Sequence, residues 1–252
     1  MRINVSERGS CVMALALALL SGSVRAEVPS SARSREVVSR VEPRLKGELQ
    51  KLGLTNGSPV FIRIFKEPAK LELWMEKGPK YRLFRTYEIC KFSGGLGPKL
   101  KEGDGQAPEG CYSVAARQMN PNSSYHLSFN LGFPNAYDRH HRRTGSALMV
   151  HGKCASIGCY AMGDEAIEEI WTLCARALEK GQGSFPVHCF PFPLTASNLK
   201  RQEANAWIEF WKELEPVYSM FEKTRVPPRV IVRQGKYEVE AARLRVERAG
   251  EF

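Results

Sequence analysis

The first apolar pattern of the chain is helical, and it gives way to a strand-like pattern. Over residues 31–54, apolar side chains recur at steps of three and four, which predicts an amphipathic helix interrupted at Pro43. Gly53 and the Thr-Asn-Gly-Ser-Pro cluster at residues 55–59 end this pattern. We therefore expect an N-terminal helical segment over residues 27–58.

Short strands are predicted next. Residues 60–65 are rich in β-branched and aromatic side chains, and residues 71–75 are largely apolar. Residues 81–87 alternate between apolar and polar side chains. Three short strands in succession indicate an antiparallel sheet rather than β-α-β units. Further strands are expected at residues 111–115 and 147–150.

Two long segments between these strands have the composition of loops. Residues 93–110 are rich in Gly and Pro, and residues 118–146 are polar with scattered aromatic side chains. A loop as long as the second one is usually functional in a compact domain.

The last third of the chain combines helices with a hairpin. One helix is expected to start at Asp164 as its N-cap and to end at Gly181, and a second is expected over residues 196–215. Residues 185–193 are apolar but interrupted by prolines. Residues 229–239 predict a terminal hairpin that turns at a Gln-Gly pair.

The N-terminus predicts export. Arg2 and Arg8 precede or flank the start of an unbroken apolar run over residues 11–20, and small residues follow up to Ala26. Charge, apolar run and small residues come in the order of a secretory signal, so we expect residues 1–26 to be cleaved off. A buried N-terminal helix is the alternative.

Six cysteines remain after such a signal. In an oxidising compartment disulfides persist, but the spacing reveals no pairing. If one cysteine serves as a thiolate, at least one of the other five is unpaired. The six are Cys90, Cys111, Cys154, Cys159, Cys174 and Cys189.

The charge of the chain bears on its partners. The formal net charge is +10. A basic exported protein suits an anionic polymer or a membrane surface, so peripheral membrane contact is one expectation. Nucleic acid is not expected as a partner, because the chain has an export signal and no nucleic-acid-binding motif. Solubility alone is the alternative explanation of the charge.

Candidate chemistry is concentrated between residues 149 and 162. His151 follows an apolar strand, and a Ser-Ile-Gly-Cys turn then brings in Cys159. Because the thiolate is the nucleophilic form of cysteine, Cys159 needs a base within hydrogen-bond reach, which His151 can supply. Gly158 allows an uncommon backbone conformation, and N–H groups of the turn can converge on an oxyanion. Cys159, His151 and Gly158 are therefore the candidate catalytic residues.

Two other roles stay open for these side chains. Cys159 could form a disulfide with Cys154. Alternatively, His151, Cys154, Cys159 and either His188 or Cys189 could hold zinc. The spacing of the two cysteines in the turn is wider than in zinc ribbons.

The same segment resembles the catalytic motif of the YkuD-type L,D-transpeptidases. That family has His-Gly at a strand end and then Ser-x-Gly-Cys, which correspond to residues 151–152 and 156–159. The short gap and the following Tyr-Ala-Met are most similar to the YafK-like branch. Residues 97–99 and 103–112 resemble the upstream stretch of the family, Gly-Asp-x-x-x-Pro-Glu-Gly-x-Tyr, and the resemblance covers residues 60–180.

The resemblance implies a mixed α+β fold. Its centre is a β-sandwich-like L,D-transpeptidase catalytic domain, here over residues 59–195, preceded by the N-terminal helix. A C-terminal helix and hairpin over residues 196–252 are expected to pack on that domain.

The resemblance also implies acyl transfer on peptidoglycan stem peptides in the periplasm. Cys159 would attack an amide carbonyl next to diaminopimelate and form a thioester, while His151 takes the thiol proton. The N–H groups of Gly158 and Cys159 would hold the oxyanion. No metal and no organic cofactor is implied.

The sequence departs from the family at two positions. Ile157 and Ala161 stand where many members carry basic residues. Some YafK-like members look like hydrolases that release a peptidoglycan-anchored lipoprotein. A transpeptidase, a peptidoglycan amidase of that kind and a non-catalytic peptidoglycan-binding module therefore all stay open.

Four residues are candidates for substrate binding. Ser156 could hydrogen-bond the substrate or cap its own turn, and Gly152 directly follows the candidate base. Tyr125 lies in the long polar segment and could line a groove or pack within the loop. Arg142 belongs to the basic loop around His140, which could bind substrate carboxylates or simply be solvated.

Overall fold

The computed structural model describes residues 27–240. Its helices are α1 (Ala32–Leu52), α2 (Ala136–His140), α3 (Asp164–Glu179), α4 (Ala196–Arg201) and α5 (Ile208–Thr224). Its strands are β1 (Val60–Phe65), β2 (Lys70–Lys77), β3 (Lys80–Glu88), β4 (Lys91–Phe92), β5 (Gly110–Ala115), β6 (Met119–Asn120), β7 (Ser128–Asn130), β8 (Met149–His151), β9 (Tyr160–Ala161), β10 (Ser184–Phe190), β11 (Arg229–Arg233) and β12 (Lys236–Glu240). The predicted signal over residues 1–26 lies outside the described residues. Within residues 27–240, no helix has the length and apolar character that crossing a membrane requires.

Helix α1 starts at a reciprocal serine cap. Ser31 Oγ accepts the N–H of Ser34, and Ser34 Oγ accepts the N–H of Ser31. The helix ends at Gly53, whose φ is +62°. The predicted interruption at Pro43 is wrong, because Pro43 is exposed and the apolar stripe on the opposite face stays buried through it. That stripe consists of Val37, Val41, Leu45 and Leu49.

The first sheet has the strand order β3-β2-β1-β10-β5. Antiparallel pairing of β1, β2 and β3 confirms the prediction for these strands. Strand β10 was not predicted, because prolines interrupt its sequence, yet it lies between β1 and β5. Pro186 is tolerated since it pairs only with Ser113 of β5, while the parallel pairing with β1 begins at Val187.

The second sheet has the order β4-β9-β8-β7-β6 and consists of strands of two or three residues. Strand β8 is antiparallel to β7 and parallel to β9. Strands β6 and β7 and helix α2 all lie within residues 118–146, which the sequence indicated to be one loop. Elements this short contain too few residues to show a period in their apolar positions.

The two sheets share one hydrophobic core with α1 and α3. Phe129 of β7 meets Phe185 of β10 edge to face, with ring centroids 5.4 Å apart. Tyr160 of β9 donates its hydroxyl to the carbonyl of Pro108 at 2.6 Å. The predicted mixed α+β, sandwich-like fold class is confirmed.

Helix α3 is capped by a different residue from the one expected. Gly163, with φ +79°, is the N-cap, and Asp164 is the first helical residue. The Asp164 carboxylate accepts the N–H of Lys153 at 2.7 Å. This contact ties the start of α3 to the turn that follows His151.

The single helix predicted over residues 196–215 starts at the correct residue, but its continuity and its end are wrong. The chain breaks between α4 and α5, where Asn205 Oδ1 accepts the N–H of Trp207 at 3.0 Å and competes with helical pairing. Helix α5 then continues through Pro216 to Thr224, because its apolar stripe remains buried. That stripe includes Leu214, Val217, Tyr218 and Phe221.

The hairpin of β11 and β12 confirms the prediction for the C-terminal part. Tyr237 of β12 stacks on Tyr137 of α2, with ring centroids 4.3 Å apart and the planes 3° from parallel. These rings belong to a second apolar cluster that also contains Trp211 of α5. The division of the chain at residues 58 and 195 stays a prediction.

Candidate active site

Parallel pairing of β8 and β9 brings the candidate nucleophile and base to one face of the second sheet. His151 pairs with Ala161, and Val150 pairs with Tyr160. Continuing this register by one residue places Cys159 beside Met149, on the face that His151 also occupies, since side chains alternate along a strand. The N–H of Met149 accordingly points at Cys159 Sγ, 3.4 Å away. Both side chains line the same groove, of about 580 Å³.

His151 is held as a neutral base. Its side chain is buried, and Nδ1 lies 2.6 Å from the carbonyl oxygen of Gly152, which assigns the ring proton to Nδ1 and leaves Nε2 as the acceptor. Burial lowers the pKa of His151, and the hydrogen bond to the Gly152 carbonyl offsets part of this decrease. The ring is therefore uncharged at neutral pH and able to take a proton at Nε2.

Cys159 is a half-buried free thiol. Burial raises its pKa, while the hydrogen bond from the Met149 N–H and the charge of Lys99 lower it by less. The thiol is 3.6 Å from the carbonyl oxygen of Ala147 and can donate its proton there. At neutral pH the resting site consequently contains a thiol and a neutral imidazole rather than a preformed ion pair.

Tyr125 covers one face of the His151 ring. The ring centroids are 4.6 Å apart, and the Lys153 ammonium lies 5.9 Å from the centroid of the Tyr125 ring. Lys153 also donates to the carbonyl of Ser124 at 2.7 Å, which fixes the backbone beside Tyr125. Tyr125 is thus both a wall of the groove and a support for the orientation of His151.

Ser156 caps the turn that carries Cys159. Its Oγ accepts the N–H groups of Gly158 at 3.2 Å and Cys159 at 3.0 Å, and it donates to the carbonyl of Cys159 at 2.8 Å. The hydroxyl of Ser93 lies 3.0 Å away. Of the two roles considered for Ser156, these contacts are those of a cap. The two N–H groups expected to hold an oxyanion are occupied by Ser156 in this state.

Two glycines occupy positions where a larger side chain would crowd its neighbours. Gly158 has φ +147°, and a Cβ there would lie 3.2 Å from Leu148 Cδ1. A Cβ on Gly152 would lie 2.6 Å from Asp164 Oδ1 and 2.8 Å from the carbonyl of Tyr125. Gly152 is buried beside the groove and is absent from its lining, so its contribution here is close packing and a carbonyl for His151.

A disulfide joins Cys90 to Cys154, with the two Cα atoms 5.5 Å apart. Cys154 is therefore not the partner of Cys159, and the proposed zinc ligand set is wrong because one of its thiols is oxidised. His188 and Cys189 lie on β10, in the other sheet. Across residues 27–240 no group of three or more His, Cys, Asp or Glu side chains is placed to hold a metal ion.

The groove also contains residues to which the sequence gave no role. Lys99 is buried in its wall and donates to Asp104 Oδ1 at 2.6 Å. Ile157 is 87% exposed at the mouth of the groove, beside Cys159. The only signal for Lys99 in the sequence was its position in the upstream motif. The only signal for Ile157 was that it replaces the basic residue that many family members carry there.

Arg142 does not line this groove. It is exposed and has φ +56°, while its neighbour Arg143 is buried in an ion pair with Asp138 at 2.9 Å. His141 Nε2 is 2.8 Å from the carbonyl of Gly235 in the terminal hairpin. The basic loop is thus packed against the hairpin, and a substrate-binding role of Arg142 stays a prediction.

Comparison with known proteins gives a strong relationship. No protein-family model matches the chain. The chain is 50% identical over 183 residues to the Escherichia coli (strain K12) protein named "Putative L,D-transpeptidase YafK", covering 73% of this chain and 74% of the relative.

Two solved structures are more distant. The helical cell shape determining protein Pgp2 from Campylobacter jejuni aligns at 17% identity with a TM-score of 0.43, covering 75% of this chain and 80% of that one. Bd1075 of Bdellovibrio bacteriovorus aligns at 21% identity with a TM-score of 0.37, covering 65% and 62%. At these TM-scores neither likeness bears on the chemistry of the groove.

The relationship to YafK extends over nearly three quarters of both proteins at half identity. Independently, His151 and residues 156–159 of the motif lie together in one groove, at the junction of β8 and β9. The chain belongs to the YkuD-type L,D-transpeptidase family, in its YafK-like branch.

Proposed function

We propose that this protein is an exported cysteine enzyme that transfers acyl groups of peptidoglycan stem peptides through a thioester on Cys159. The observation that carries the proposal is the placement of His151 at the end of β8 and of Cys159 directly before the neighbouring strand β9, with both lining one groove. The Nδ1 contact of His151 with the Gly152 carbonyl leaves Nε2 available to accept a proton. Nucleophile, base and orienting acceptor are the three elements that a thiol acyl transferase needs.

In the proposed reaction, His151 Nε2 takes the proton of the Cys159 thiol as Sγ attacks an amide carbonyl of the stem peptide. The tetrahedral intermediate then expels the amine, which receives the proton from His151, and a thioester remains. A second nucleophile, either an amine or water, gives its proton to His151 and attacks the thioester. Collapse of the second intermediate returns the proton to Cys159 and releases the product.

The electrostatics favour proton transfer during attack. Burial raises the pKa of Cys159 and lowers that of His151, so both shifts disfavour the ion pair at rest. The thiol proton moves from Cys159 to His151 while the sulfur forms its bond to the substrate carbonyl carbon. His151 therefore acts as a general base rather than as the counter-ion of a stored thiolate.

The oxyanion site is not preformed, because its two proposed N–H donors already have a hydrogen-bond partner. The N–H groups of Gly158 and Cys159 are bonded to Ser156 Oγ at 3.2 and 3.0 Å. We expect the developing oxyanion to compete with the Ser156 hydroxyl for these two donors, since a charged acceptor forms stronger hydrogen bonds than a hydroxyl.

Export is part of the proposal. It rests first on the predicted signal over residues 1–26. The disulfide between Cys90 and Cys154 supports an oxidising compartment such as the periplasm, because disulfides rarely persist in the cytosol. The assignment of residues 27–58, 59–195 and 196–252 to an N-terminal helical segment, a catalytic domain and a C-terminal addition belongs to the same proposal.

A second candidate function uses the same thioester. If water is the acceptor, the protein is an amidase, and its substrate could be a lipoprotein linked to diaminopimelate. The exposed Ile157 favours keeping this candidate, because an aliphatic side chain at the mouth of the groove supplies no charge to hold an acceptor carboxylate.

The deciding experiment is mass spectrometry of purified sacculi, with and without bound lipoprotein, after incubation with the mature protein. Cys159→Ala should abolish every product, and Cys174→Ala, which removes a buried thiol far along the chain in α3, serves as the matched control. New crosslinks or attached amines identify a transpeptidase, and released lipoprotein or trimmed peptides identify an amidase. Products that persist in Cys159→Ala would refute the thioester. Binding without products would support the non-catalytic binding module.

A further inference from the structure

Two further grooves adjoin the groove at Cys159 on the surface of the protein. The first of them has a volume of about 850 Å³ and shares the lining residues Asn120, Ser146, Ala147 and Met149 with the groove at Cys159. It shares Ser113 and Gly132 with the second. We call these three adjoining grooves the channel. It runs from the candidate nucleophile past β6 and the start of β8 to strand β5 of the other sheet.

The far end of the channel lies between strands β5 and β10, helix α2 and the terminal hairpin. Its volume is about 490 Å³, which is the size of a ligand site in its own right. The side chains of Cys111 and His188 are direct partners across β5 and β10, and both line this end. Tyr237 of the hairpin closes the opposite side and bonds Asn135 Nδ2 at 2.9 Å.

His188 is an unusual residue to find at such a position. Its side chain is 2% exposed, and Nδ1 has no hydrogen-bond partner within the described part of the chain. Burial and the charge of Arg63 lower the pKa of His188 to about 3, so its ring is neutral. Buried polar atoms are nearly always paired in folded proteins, and an unpaired one beside a cavity marks a place that a bound group or water completes.

The middle and far parts of the channel are lined with positive charge, whereas the groove at Cys159 contains both Lys99 and Glu102. Arg117 lies in its middle part and Arg139 at its far end, and both are exposed. Neither forms an ion pair with an acidic residue within residues 27–240, and Arg139 donates only to the carbonyl of Pro134. Arg229, also at the far end, is paired with Glu240 at 2.9 Å. Two uncompensated guanidinium groups along one channel attract carboxylates.

We propose that the channel binds a second stem peptide, joined to the one at Cys159, with a carboxylate of the second peptide held at Arg139. This inference rests on the proposed function, because it takes the acyl substrate to be a peptidoglycan stem peptide. Each end of the channel is large enough for a separate ligand, and stem peptides carry free carboxylates that suit the guanidinium groups. The enzyme therefore prefers crosslinked peptides to single ones.

Binding is the direct test, and it is made with Cys159→Ala protein so that no turnover interferes. The probes are a purified crosslinked muropeptide dimer and the corresponding monomer, measured by titration calorimetry. Arg139→Glu and Arg117→Glu should each weaken dimer binding at least about tenfold, the equivalent of one lost charge-assisted hydrogen bond, and leave monomer binding unchanged. Arg201→Glu is the matched control, because Arg201 is an exposed arginine that lines a separate groove near Phe192.

A second measurement keeps the inference testable if a variant folds poorly. The ¹⁵N resonances of His188 should shift when the dimer is added to Cys159→Ala protein, and they should not shift with the monomer. Equal dimer affinity in Arg139→Glu and Arg201→Glu would overturn the inference, as would equal weakening of monomer and dimer. Arg139-dependent binding of glycan strands stripped of peptides would overturn it in favour of a sugar site.

Failure of this inference is separable from failure of the proposed function. Sacculus products that require Cys159, together with dimer binding that ignores Arg139, would refute the channel and leave the acyl transfer standing. Dimer binding that requires Arg139, in a protein that yields no product, would refute the acyl transfer and leave the channel as a binding site.

Discussion

The buried ion pair of Lys66 and Glu109 should control the stability of the loop over residues 93–110, which forms part of the groove. Lys66 Nζ lies 3.0 Å from Glu109 Oε1, and both side chains are fully buried. Glu109 also accepts the N–H of Gly97 and the indole N–H of Trp211, each at 2.8 Å. One carboxylate thus holds the residue after β1, the loop and α5 together.

Glu109→Gln keeps the shape of the side chain but removes its charge. Breaking a buried ion pair by neutralising one partner costs about 3–5 kcal/mol. Lys66 retains the carbonyls of Gly95 and Gly97 at 3.0 and 2.7 Å, and burial already lowers its pKa, so it can lose its proton instead of remaining an unpaired charge. We therefore expect the loss to lie near the lower end, at about 3 kcal/mol of unfolding free energy.

Urea denaturation of the oxidised protein measures this loss. Lys66→Met should cost a similar amount, and the double variant should cost clearly less than the sum, because the two charges are lost together. Activity on sacculi should fall in the single variants as the loop loosens. A loss below about 1 kcal/mol for Glu109→Gln, the value of an ordinary hydrogen bond, would refute the reasoning.

Three further predictions concern the site itself. The rate of alkylation of Cys159 by iodoacetamide should rise about tenfold per pH unit from pH 6 to 8, because its pKa is raised and only the thiolate reacts; a rate independent of pH there would reveal a thiolate stabilised by His151. Loss of the Cys90–Cys154 disulfide, by Cys90→Ser or by reduction, should lower the unfolding free energy by about 4 kcal/mol for its sequence separation of 64. Urea titration with and without reductant would measure this loss, and an unchanged midpoint would contradict the expectation. Ser156→Ala should lower kcat about tenfold or more through disorder of the turn while leaving alkylation of Cys159 possible; unchanged kcat would mean that the cap is dispensable.

Local patterns predicted the parts of the fold that local interactions determine. Strands β1, β2 and β3 and the terminal hairpin follow one another directly, so their alternation and turns are sufficient to indicate them. Prolines caused two of the errors. Pro43 lies inside a helix whose apolar stripe is buried, and that tertiary burial outweighs the missing N–H. Pro186 lies in a strand at the point where only one neighbour pairs with it, so its missing N–H is tolerated.

Only the local part of the candidate site was predicted from the sequence. Cys159 and His151 lie within one short segment, so a sequence motif can name both. Cys90 could not be identified as the partner of Cys154, because they are distant along the chain and meet only when the second sheet has formed. The hydrogen bonds that make Ser156 a cap depend on the detailed conformation of the turn, which the residue types alone do not determine.

The pairing of β8 with β9 makes the length of the turn between residues 152 and 158 as critical as its composition. Side chains alternate along a strand, so inserting or deleting one residue in the turn would shift β9 by one position against β8. Cys159 would then point to the opposite face of the sheet, into the core, with His151 unmoved. Substitutions in this turn alter the rate of the chemistry, whereas a change of one residue in its length removes the nucleophile from the groove.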